Sequence, residues 1–244
     1  MKKIGILGYG EIGSSIEKCY LGKGFKIVIK DLNRDDGFDN IDVLNVCIPF
    51  IDKESFAEVV CENVQRFNPK LTIIHSTVVP ETTKFINDRL PNNYIVHSPV
   101  RGVHPNLLAG LKTFVKYIGS DCDKASKICE NHYQELGIKH ETFKSSVNTE
   151  LAKILSTTYY GVCIAFHAEM NKLCEKFDAD FEEVCTKWNE TYNEGYIKLG
   201  MANVVRPVLY PPGDKIGGHC VVPNAELVNS FFRSEAIDLI LKYK

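Results

Sequence analysis

One cysteine stands in a segment whose composition suits covalent chemistry: Cys220, in KIGGHCVVPN at residues 215–224. The two glycines before it let backbone approach a ligand without a Cβ in the way, and Pro223 disfavours a helix. The sequence therefore predicts an irregular, accessible turn in which a thiolate could act as a nucleophile. The alternative is a small buried hydrophobic side chain, because most free cysteines in folded proteins are of that kind.

A second candidate site lies near the N-terminus, where GILGYGEIGSSI places Gly8, Gly10 and Gly13 in the GxGxxG spacing. That spacing supplies a tight turn, a backbone that can lie against a pyrophosphate, and close packing of a helix on a strand. Asp31, at the end of the second predicted strand, could accept the ribose hydroxyls and would repel a 2′-phosphate. This predicts an NAD site, with Arg34 as a possible contact for NADP; a glycine turn that serves only packing is the alternative.

These residues need a scaffold, and the first 145 residues show the pattern of one. Short apolar runs at 3–8, 26–30, 43–48, 71–76, 94–98 and 114–119 alternate with helical stretches. Strands that are apolar on both faces and joined by helices are typical of a parallel sheet covered on both sides. The sequence therefore predicts an α/β fold, with a doubly wound Rossmann-type parallel sheet over residues 1–145.

The pattern changes after residue 145. Residues 145–177 contain no proline and repeat apolar side chains at helical spacing, which predicts one long helix with Asn148 as its N-cap. Further helices are predicted over 181–199 and 225–242, separated by a Pro/Gly-rich loop. Residues 146–244 are therefore predicted to form a smaller all-helical domain.

Composition limits the classes of function. The chain has 29 Lys and Arg against 31 Asp and Glu, and without a basic cluster we expect neither nucleic acid nor a membrane as a partner. Its N-terminal apolar run is too short for a signal segment, so a cytoplasmic protein is expected. The nine cysteines are odd in number and never spaced CxxC, so neither a disulfide framework nor a metal site is expected.

Four stretches together resemble the UDP-glucose/GDP-mannose dehydrogenase family. They are GYGEIG, HSTVVPETT at 75–83, the helical segment 149–177, and PPGDKIGGHCVVPN at 211–224, in the order that this family has them. The GGHC form is most similar to the branch that oxidises UDP-N-acetyl-hexosamines. The resemblance implies NAD as cofactor, a small-molecule substrate, and a homodimer paired through the long helix 150–177.

The resemblance also implies a double oxidation in which a cysteine traps the intermediate aldehyde and water releases the acid. It assigns Cys220 as the nucleophile, Lys153 as the stabiliser of the oxyanion, and Thr77 as a residue beside the nicotinamide. From spacing alone, two alternatives stay open. Lys153 could form a solvated pair with Glu150, and Thr77 could cap a helix near Pro80.

The glycine motif and the resemblance together predict the remaining site residues. The cofactor-binding set is Gly8, Tyr9, Gly10, Glu11, Ile12, Gly13, Asp31, Pro49, Ser76 and Thr77. The substrate-binding set is Arg101, Gly217, Gly218 and His219. A packing role for His219 is an equal alternative, because neighbouring side chains in an extended run point apart.

The sequence departs from the family pattern at three points. Val100 stands where the family has a glutamate, and Thr157, kept here as a candidate catalytic residue, stands where it has an asparagine. Residues that could compensate are Arg101, His97 and His104. The family also has a third domain that binds the nucleotide, whereas this chain ends 24 residues after Cys220.

Three functions are compatible with these observations. The first is an NAD-dependent dehydrogenase that takes a sugar nucleotide, or a smaller polyol-like alcohol, to the acid through Cys220. The second is a single hydride transfer of the 6-phosphogluconate type, which the changes at Val100 and Thr157 favour. The third is a non-catalytic NAD-binding module, or half of a heteromeric enzyme, that needs a partner chain.

Overall fold

A computed structural model of the 244-residue chain describes residues 1–37, 39–103 and 105–244. His104, one of the residues expected to compensate for Val100, lies outside these residues. The described chain forms two compact units, Met1–Lys153 and Ile154–Lys244, and each is considered by itself below.

The first unit is built on a sheet that has eight strands in the described residues, in the order β3-β2-β1-β4-β5-β6-β7-β8. The strands are β1 (Lys3–Leu7), β2 (Lys26–Asp31), β3 (Arg34–Asp35), β4 (Val43–Val46), β5 (Leu71–Ile74), β6 (Ile95–His97), β7 (Lys116–Gly119) and β8 (His140–Phe143). The helices between them are α1 (Glu11–Tyr20), α2 (Lys53–Phe67), α3 (Thr82–Arg89), α4 (Leu107–Thr113) and α5 (Asp123–Glu135). The long helix α6 (Ser146–Lys176) begins in this unit.

Both faces of the sheet are buried, because successive residues of a strand point to opposite sides. Ile6 and Ile73 pack on one side with residues of α1, α4 and α5. Their neighbours Leu7 and Ile74 pack on the other side with residues of α2 and α3. The prediction of a doubly wound Rossmann-type sheet is confirmed.

The sheet differs from the prediction in two respects. It is not wholly parallel, because β7 runs antiparallel to β6 and the short β3 runs antiparallel to β2. Strands β3 and β8 were also not predicted, since both lie at an edge of the sheet and neither carries the continuous apolar run of a buried strand.

The second unit contains the rest of α6, a π-helical turn (Glu182–Lys187) that runs into α7 (Trp188–Lys198), a 3₁₀ turn (Ala202–Val204), α8 (Val221–Asn229) and α9 (Glu235–Leu241). Its apolar core joins α6 to α8 and α9. A Cβ at Gly161 would lie 2.5 Å from Val221 Cγ1 and 3.1 Å from Ile240 Cδ1, so glycine permits this close packing.

Two predictions about the helices are wrong. Helix α6 begins at Ser146, which places Asn148 inside the helix and not at its N-cap. The single closing helix is two helices, because Ser234 starts α9 by accepting a hydrogen bond from the Ala236 N–H. In the part of the chain described here, no helix is both long and apolar enough to cross a membrane.

Candidate functional site

The glycine loop between β1 and α1 uses its three glycines for different reasons. Gly8 has a φ of +90°, and a Cβ there would lie 2.8 Å from both atoms of the Cys47 carbonyl group. A Cβ at Gly13 would lie 2.1 Å from the Gly8 carbonyl oxygen, whereas a Cβ at Gly10 would meet nothing within 4 Å. The fold therefore requires Gly8 and Gly13, while Gly10 leaves open space at the start of α1.

That open space faces the N-terminus of a helix. Gly10 is the N-cap of α1 and provides no side-chain cap, and Glu11 and Ile12 form the first turn. Backbone N–H groups at a helix N-terminus bind anions, and the partial positive charge of the helix dipole adds to the attraction. The loop therefore fits a pyrophosphate.

Asp31 lies beside this loop at the end of β2. Its half-buried carboxylate accepts hydrogen bonds from the backbone N–H groups of Tyr9 and Leu32. Arg34 is held by Asp36 through two hydrogen bonds of 2.9 and 2.7 Å, and its guanidinium lies 5.1 Å from the centre of the Tyr9 ring. Since Asp36 already balances the charge of Arg34, the arrangement suits a ribose with free hydroxyls better than a 2′-phosphate.

The other predicted cofactor residues follow β4 and β5, the next two strands of the sheet. Pro49 is exposed, Thr77 is half-buried, and the buried Ser76 donates a 2.5 Å hydrogen bond to the Ile48 carbonyl. The chain passes from β1 to β2 on one side and places β4 on the other, so a crevice opens at the carboxyl ends of β1 and β4. Thr77 is not a helix cap, because the N-cap of α3 is Glu81.

Lys153 lies on the first part of α6, within the first unit. Its half-buried ammonium donates a 2.9 Å hydrogen bond to the backbone carbonyl of Val100. The Val100 side chain itself is buried in the apolar core. Where the family has a glutamate, this chain thus places a backbone carbonyl next to the lysine.

Glu150 has a role that the sequence did not indicate. The solvated pair with Lys153, the alternative considered from spacing, is wrong: Glu150 is fully buried and its carboxylate accepts hydrogen bonds from the N–H groups of Glu81 (2.7 Å) and Thr83 (2.8 Å). Burial raises the pKa of Glu150, and these hydrogen bonds act in the opposite direction. Glu150, on α6, therefore caps the N-terminus of α3. This contact joins residues far apart in sequence, so no local sequence motif predicts it.

His97, expected as a possible substitute for the missing glutamate, is instead a buried link. Burial lowers the pKa of His97 to about 3, so the ring is neutral and carries one N–H. Its Nε2 lies 3.1 Å from the Ser76 carbonyl and its Nδ1 lies 2.8 Å from Thr149 Oγ1. Both hydrogen bonds can form when Nε2 donates to the Ser76 carbonyl and Nδ1 accepts from the Thr149 hydroxyl. His97 of β6 is thereby joined to α6 and to the segment that follows β5.

In the second unit, Cys220 occupies the N-cap position of α8 and is half-buried. Gly217, Gly218 and His219 before it are exposed, and Gly218 has a φ of +89°. The expectation that Pro223 would prevent a helix is wrong, because it lies in the first turn of α8, where helices tolerate proline. The thiol thus lies next to a helix N-terminus.

The remaining predicted residues are divided between the units. Arg101 is exposed in the first unit, with its guanidinium 5.2 Å from the Phe114 ring centre and 5.3 Å from that of Tyr117. Thr157 is half-buried and belongs to the second unit. Among the described side chains, no group of three His, Cys, Asp or Glu residues is arranged to hold a metal ion.

Comparisons with known proteins find similarity to sugar-nucleotide dehydrogenases. The central domain of the UDP-glucose/GDP-mannose dehydrogenase family matches residues 147–241. UDP-N-acetyl-D-mannosamine dehydrogenase from Methanococcus vannielii is 25% identical over 183 residues, which are 74% of this chain and 36% of that protein. The counterpart from Methanocaldococcus jannaschii is 25% identical over 197 residues, 75% of this chain and 43% of that protein.

Solved structures show the same fold. UDP-D-ManNAc dehydrogenase from Pyrococcus horikoshii matches with a TM-score of 0.79 at 19% identity, over 99% of this chain and 68% of that one. The 3-hydroxyisobutyrate dehydrogenase of Mycobacterium tuberculosis matches with a TM-score of 0.71 at 15% identity, over 98% of this chain and 91% of that one.

The sheet order and the glycine loop are those of Rossmann-type dehydrogenases. In this fold a dinucleotide binds in the crevice at the carboxyl ends of strands such as β1 and β4. Residues 147–241 match the central domain of the UDP-glucose/GDP-mannose dehydrogenase family, the family that the four motifs resemble, and proteins of this family are NAD-dependent oxidoreductases. The curated relatives carry the name of the branch that the GGHC form indicated. The chain spans 36% and 43% of the length of the two relatives described above.

Proposed function

We propose that this chain is the cofactor-binding and central part of an NAD-dependent dehydrogenase that oxidises the primary alcohol of a sugar nucleotide to the acid. The observation that carries the proposal is the family match over residues 147–241, which includes both Lys153 and Cys220. The glycine loop and Asp31 support the choice of cofactor. The names of the curated relatives support a UDP-N-acetyl-hexosamine as the substrate class.

The residues present fit the cofactor. The first turn of α1 would hold the pyrophosphate, Asp31 would accept the ribose hydroxyls, and Thr77 would lie towards the nicotinamide. Bound NAD would accept one hydride in each of two oxidation steps. Arg101, Gly217, Gly218 and His219 are proposed to contact the substrate, and all four are exposed.

Cys220 and Lys153 are proposed to carry the chemistry on the protein side. The alcohol loses a hydride and a proton to become an aldehyde, and the Cys220 thiolate adds to its carbonyl carbon to form a thiohemiacetal. Loss of a second hydride gives a thioester, and water then releases the acid and the thiolate. The Lys153 ammonium stabilises the negative oxygen in these steps.

The test is intact-mass analysis of the chain, incubated with NAD and a panel of UDP-N-acetyl-hexosamines. We expect an acyl adduct on the wild-type protein that is absent from Cys220→Ser, together with loss of acid formation in the variant. Cys122→Ser, which removes an exposed cysteine outside the proposed site, serves as the matched control and should behave as wild type. Acid production by Cys220→Ser at the wild-type rate would exclude the covalent route.

A single hydride transfer is the second candidate. Val100 and Thr157 replace the two residues on which the hydrolysis step depends in the family, and the fold also matches 3-hydroxyisobutyrate dehydrogenase over 91% of that chain. The same incubations decide between the candidates, since the double oxidation forms two NADH per product and the single oxidation forms one.

We further propose that α6 pairs two copies of the chain. Its apolar residues Leu155, Tyr159, Phe166, Leu173 and Phe177 are between 49% and 70% exposed, although they repeat at helical spacing. The opposite face, with Ile154, Ala165 and Ala168, is buried in the core of the second unit. A regular apolar stripe along one helix suits the same stripe of a second copy, because a two-fold interface brings identical surfaces together.

Sedimentation velocity tests this pairing. The wild-type chain is expected to sediment as a dimer, and Tyr159→Lys combined with Phe166→Glu should convert it to a folded monomer, because charges would be buried in the stripe. Trp188→Glu removes an aromatic side chain that is 67% exposed on α7 and should leave the dimer intact. A wild-type chain that remains monomeric at tens of micromolar contradicts the proposal.

A further inference from the structure

Three polar side chains occupy the centre of the first unit, where a Rossmann sheet is normally apolar. Asn45 of β4, His75 after β5 and Lys116 of β7 are 1%, 1% and 3% exposed. Burying such groups costs free energy unless each is hydrogen-bonded, so their partners determine what the cluster does.

The direction of the hydrogen bonds can be followed from one end. The Asn45 amide nitrogen lies 3.3 Å from the Gly5 carbonyl and 3.1 Å from the Tyr20 hydroxyl, so it is the donor and Oδ1 is the acceptor. His75 Nε2, 2.9 Å from that Oδ1, must then carry the proton. Burial holds the pKa of His75 well below its usual value, so the ring is neutral and its Nδ1, which lies 2.9 Å from the Ser98 carbonyl oxygen, carries no proton. Two acceptors this close to each other need a donor that both can share.

This chain of donors ends on Lys116. Its Nζ lies 3.1 Å from His75 Nδ1 and 2.8 Å from the Pro99 carbonyl, and it also donates to the Ser98 carbonyl. An ammonium group has three protons, and these are three acceptors. The geometry is therefore satisfied by a charged Lys116 that holds two consecutive carbonyls of the turn after β6.

The next carbonyl of the same turn is that of Val100, which accepts the hydrogen bond from Lys153. Three successive carbonyls, from Ser98 to Val100, thus bind two lysines, one in the core and one on α6. We propose that Lys116 is a positioning residue: it fixes the turn at residues 98–100 and thereby the place of the Lys153 ammonium. The consequence for catalysis rests on the proposed function, whereas the placement of Lys153 does not.

The charge of Lys116 is sensitive to pH. Burial lowers the pKa of Lys116 to about 7, because the interior disfavours its charged form. The titratable groups that act on it from the surrounding elements are Cys19 of α1, Cys47 after β4, His75 after β5, Cys129 of α5 and Lys153 of α6. Burial raises the pKa of all three thiols, so they are uncharged around pH 7, while the charge of Lys153 opposes that of Lys116. Below about pH 7 the ammonium supplies three donors and a charge, whereas the neutral amine supplies two donors and no charge, so the turn should be held less firmly as the pH rises through that value.

The experiment uses the full chain with its accessible lysines reductively methylated with ¹³C, which keeps their charge, and follows the Lys153 methyl resonance by NMR. Mass spectrometry first checks that Lys116, which is 3% exposed, has stayed unmodified. Lys153→Arg assigns the resonance. In the wild type at pH 6 we expect a shift distinct from those of exposed lysines, and in Lys116→Met we expect it to join theirs. Tyr20→Phe is the matched control, since it disturbs the far end of the hydrogen-bond chain and should leave the resonance in place.

A pH titration of the wild type and a comparison of kcat provide two further tests. In the wild type alone, the distinct resonance should be lost as the pH is raised from 6 to 9, even if Lys116→Met does not fold. If the chain turns over substrate, Lys116→Met should lower kcat about ten- to a hundredfold with an unchanged Kd for NAD, as expected from a small misplacement of a catalytic group. A Lys153 resonance that is the same in folded Lys116→Met as in the wild type overturns the proposal, whereas activity of Cys220→Ser would overturn only the covalent mechanism.

Discussion

Replacing Glu150 by alanine is expected to lower the free energy of unfolding of the first unit by about 2–4 kcal/mol, since it removes two charge-assisted hydrogen bonds and a helix cap. The carboxylate is fully buried and accepts from the N–H groups of Glu81 and Thr83. Both N–H groups would be left without this acceptor at the start of α3. Urea unfolding followed by circular dichroism measures the change.

Two variants show whether the effect belongs to this cap. Glu150→Gln keeps one carbonyl oxygen but turns an amide donor towards a backbone N–H, so its loss of stability should be smaller than that of alanine but clearly measurable. Glu62→Gln makes the same change at an exposed position of α2 and should leave the stability unchanged. Equal stability of Glu150→Ala and the wild type would show that the carboxylate does not cap α3.

Alanine at Gly10 and at Gly13 should have opposite effects on folding and binding. At Gly13 a Cβ would lie 2.1 Å from the Gly8 carbonyl oxygen, so Gly13→Ala should destabilise the protein by at least about 1–3 kcal/mol through overpacking. At Gly10 a Cβ would meet no protein atom within 4 Å and the φ is −74°, so Gly10→Ala should fold normally.

Binding of NAD distinguishes the two roles of glycine. Gly10→Ala fills the space proposed for the pyrophosphate, so we expect its affinity for NAD to fall about ten- to a hundredfold, a loss of about 1.4–2.8 kcal/mol. Thermal unfolding and fluorescence titration with NAD give the two quantities for each variant. A stable Gly10→Ala protein that binds NAD as tightly as the wild type would place the cofactor elsewhere.

Much of the first unit could be predicted because its signals are local. The glycine spacing, the carboxylate at Asp31 and the apolar runs of the inner strands each depend on residues close in sequence. The antiparallel direction of β7 could not be recognised in this way, since the spacing of apolar residues is the same whichever way a strand runs. Direction in a sheet depends on how the chain returns to it, which periodicity does not record.

The contacts that fix the candidate site were harder to foresee for the same reason. Glu150 reaches α3 across 67 positions of sequence, and Lys116 reaches the turn at Ser98 across 18. The local pattern around Lys116 is typical of a polar residue in an alternating strand. The pattern around Glu150 is typical of a solvated helix face. Only the packing of the elements shows that both side chains are buried and that their partners are backbone groups.

The hydrogen-bonded set of Asn45, His75 and Lys116 also bears on how this protein can change in evolution. Each residue satisfies a neighbour, so replacing one with an apolar residue leaves a buried polar group unpaired, at a cost of about 1–3 kcal/mol. Replacing all three together avoids the part of that cost that arises between the three side chains, and the effects of the single changes are therefore not additive. We therefore expect substitutions at these three positions to be correlated among related sequences, although the positions are far apart in the chain.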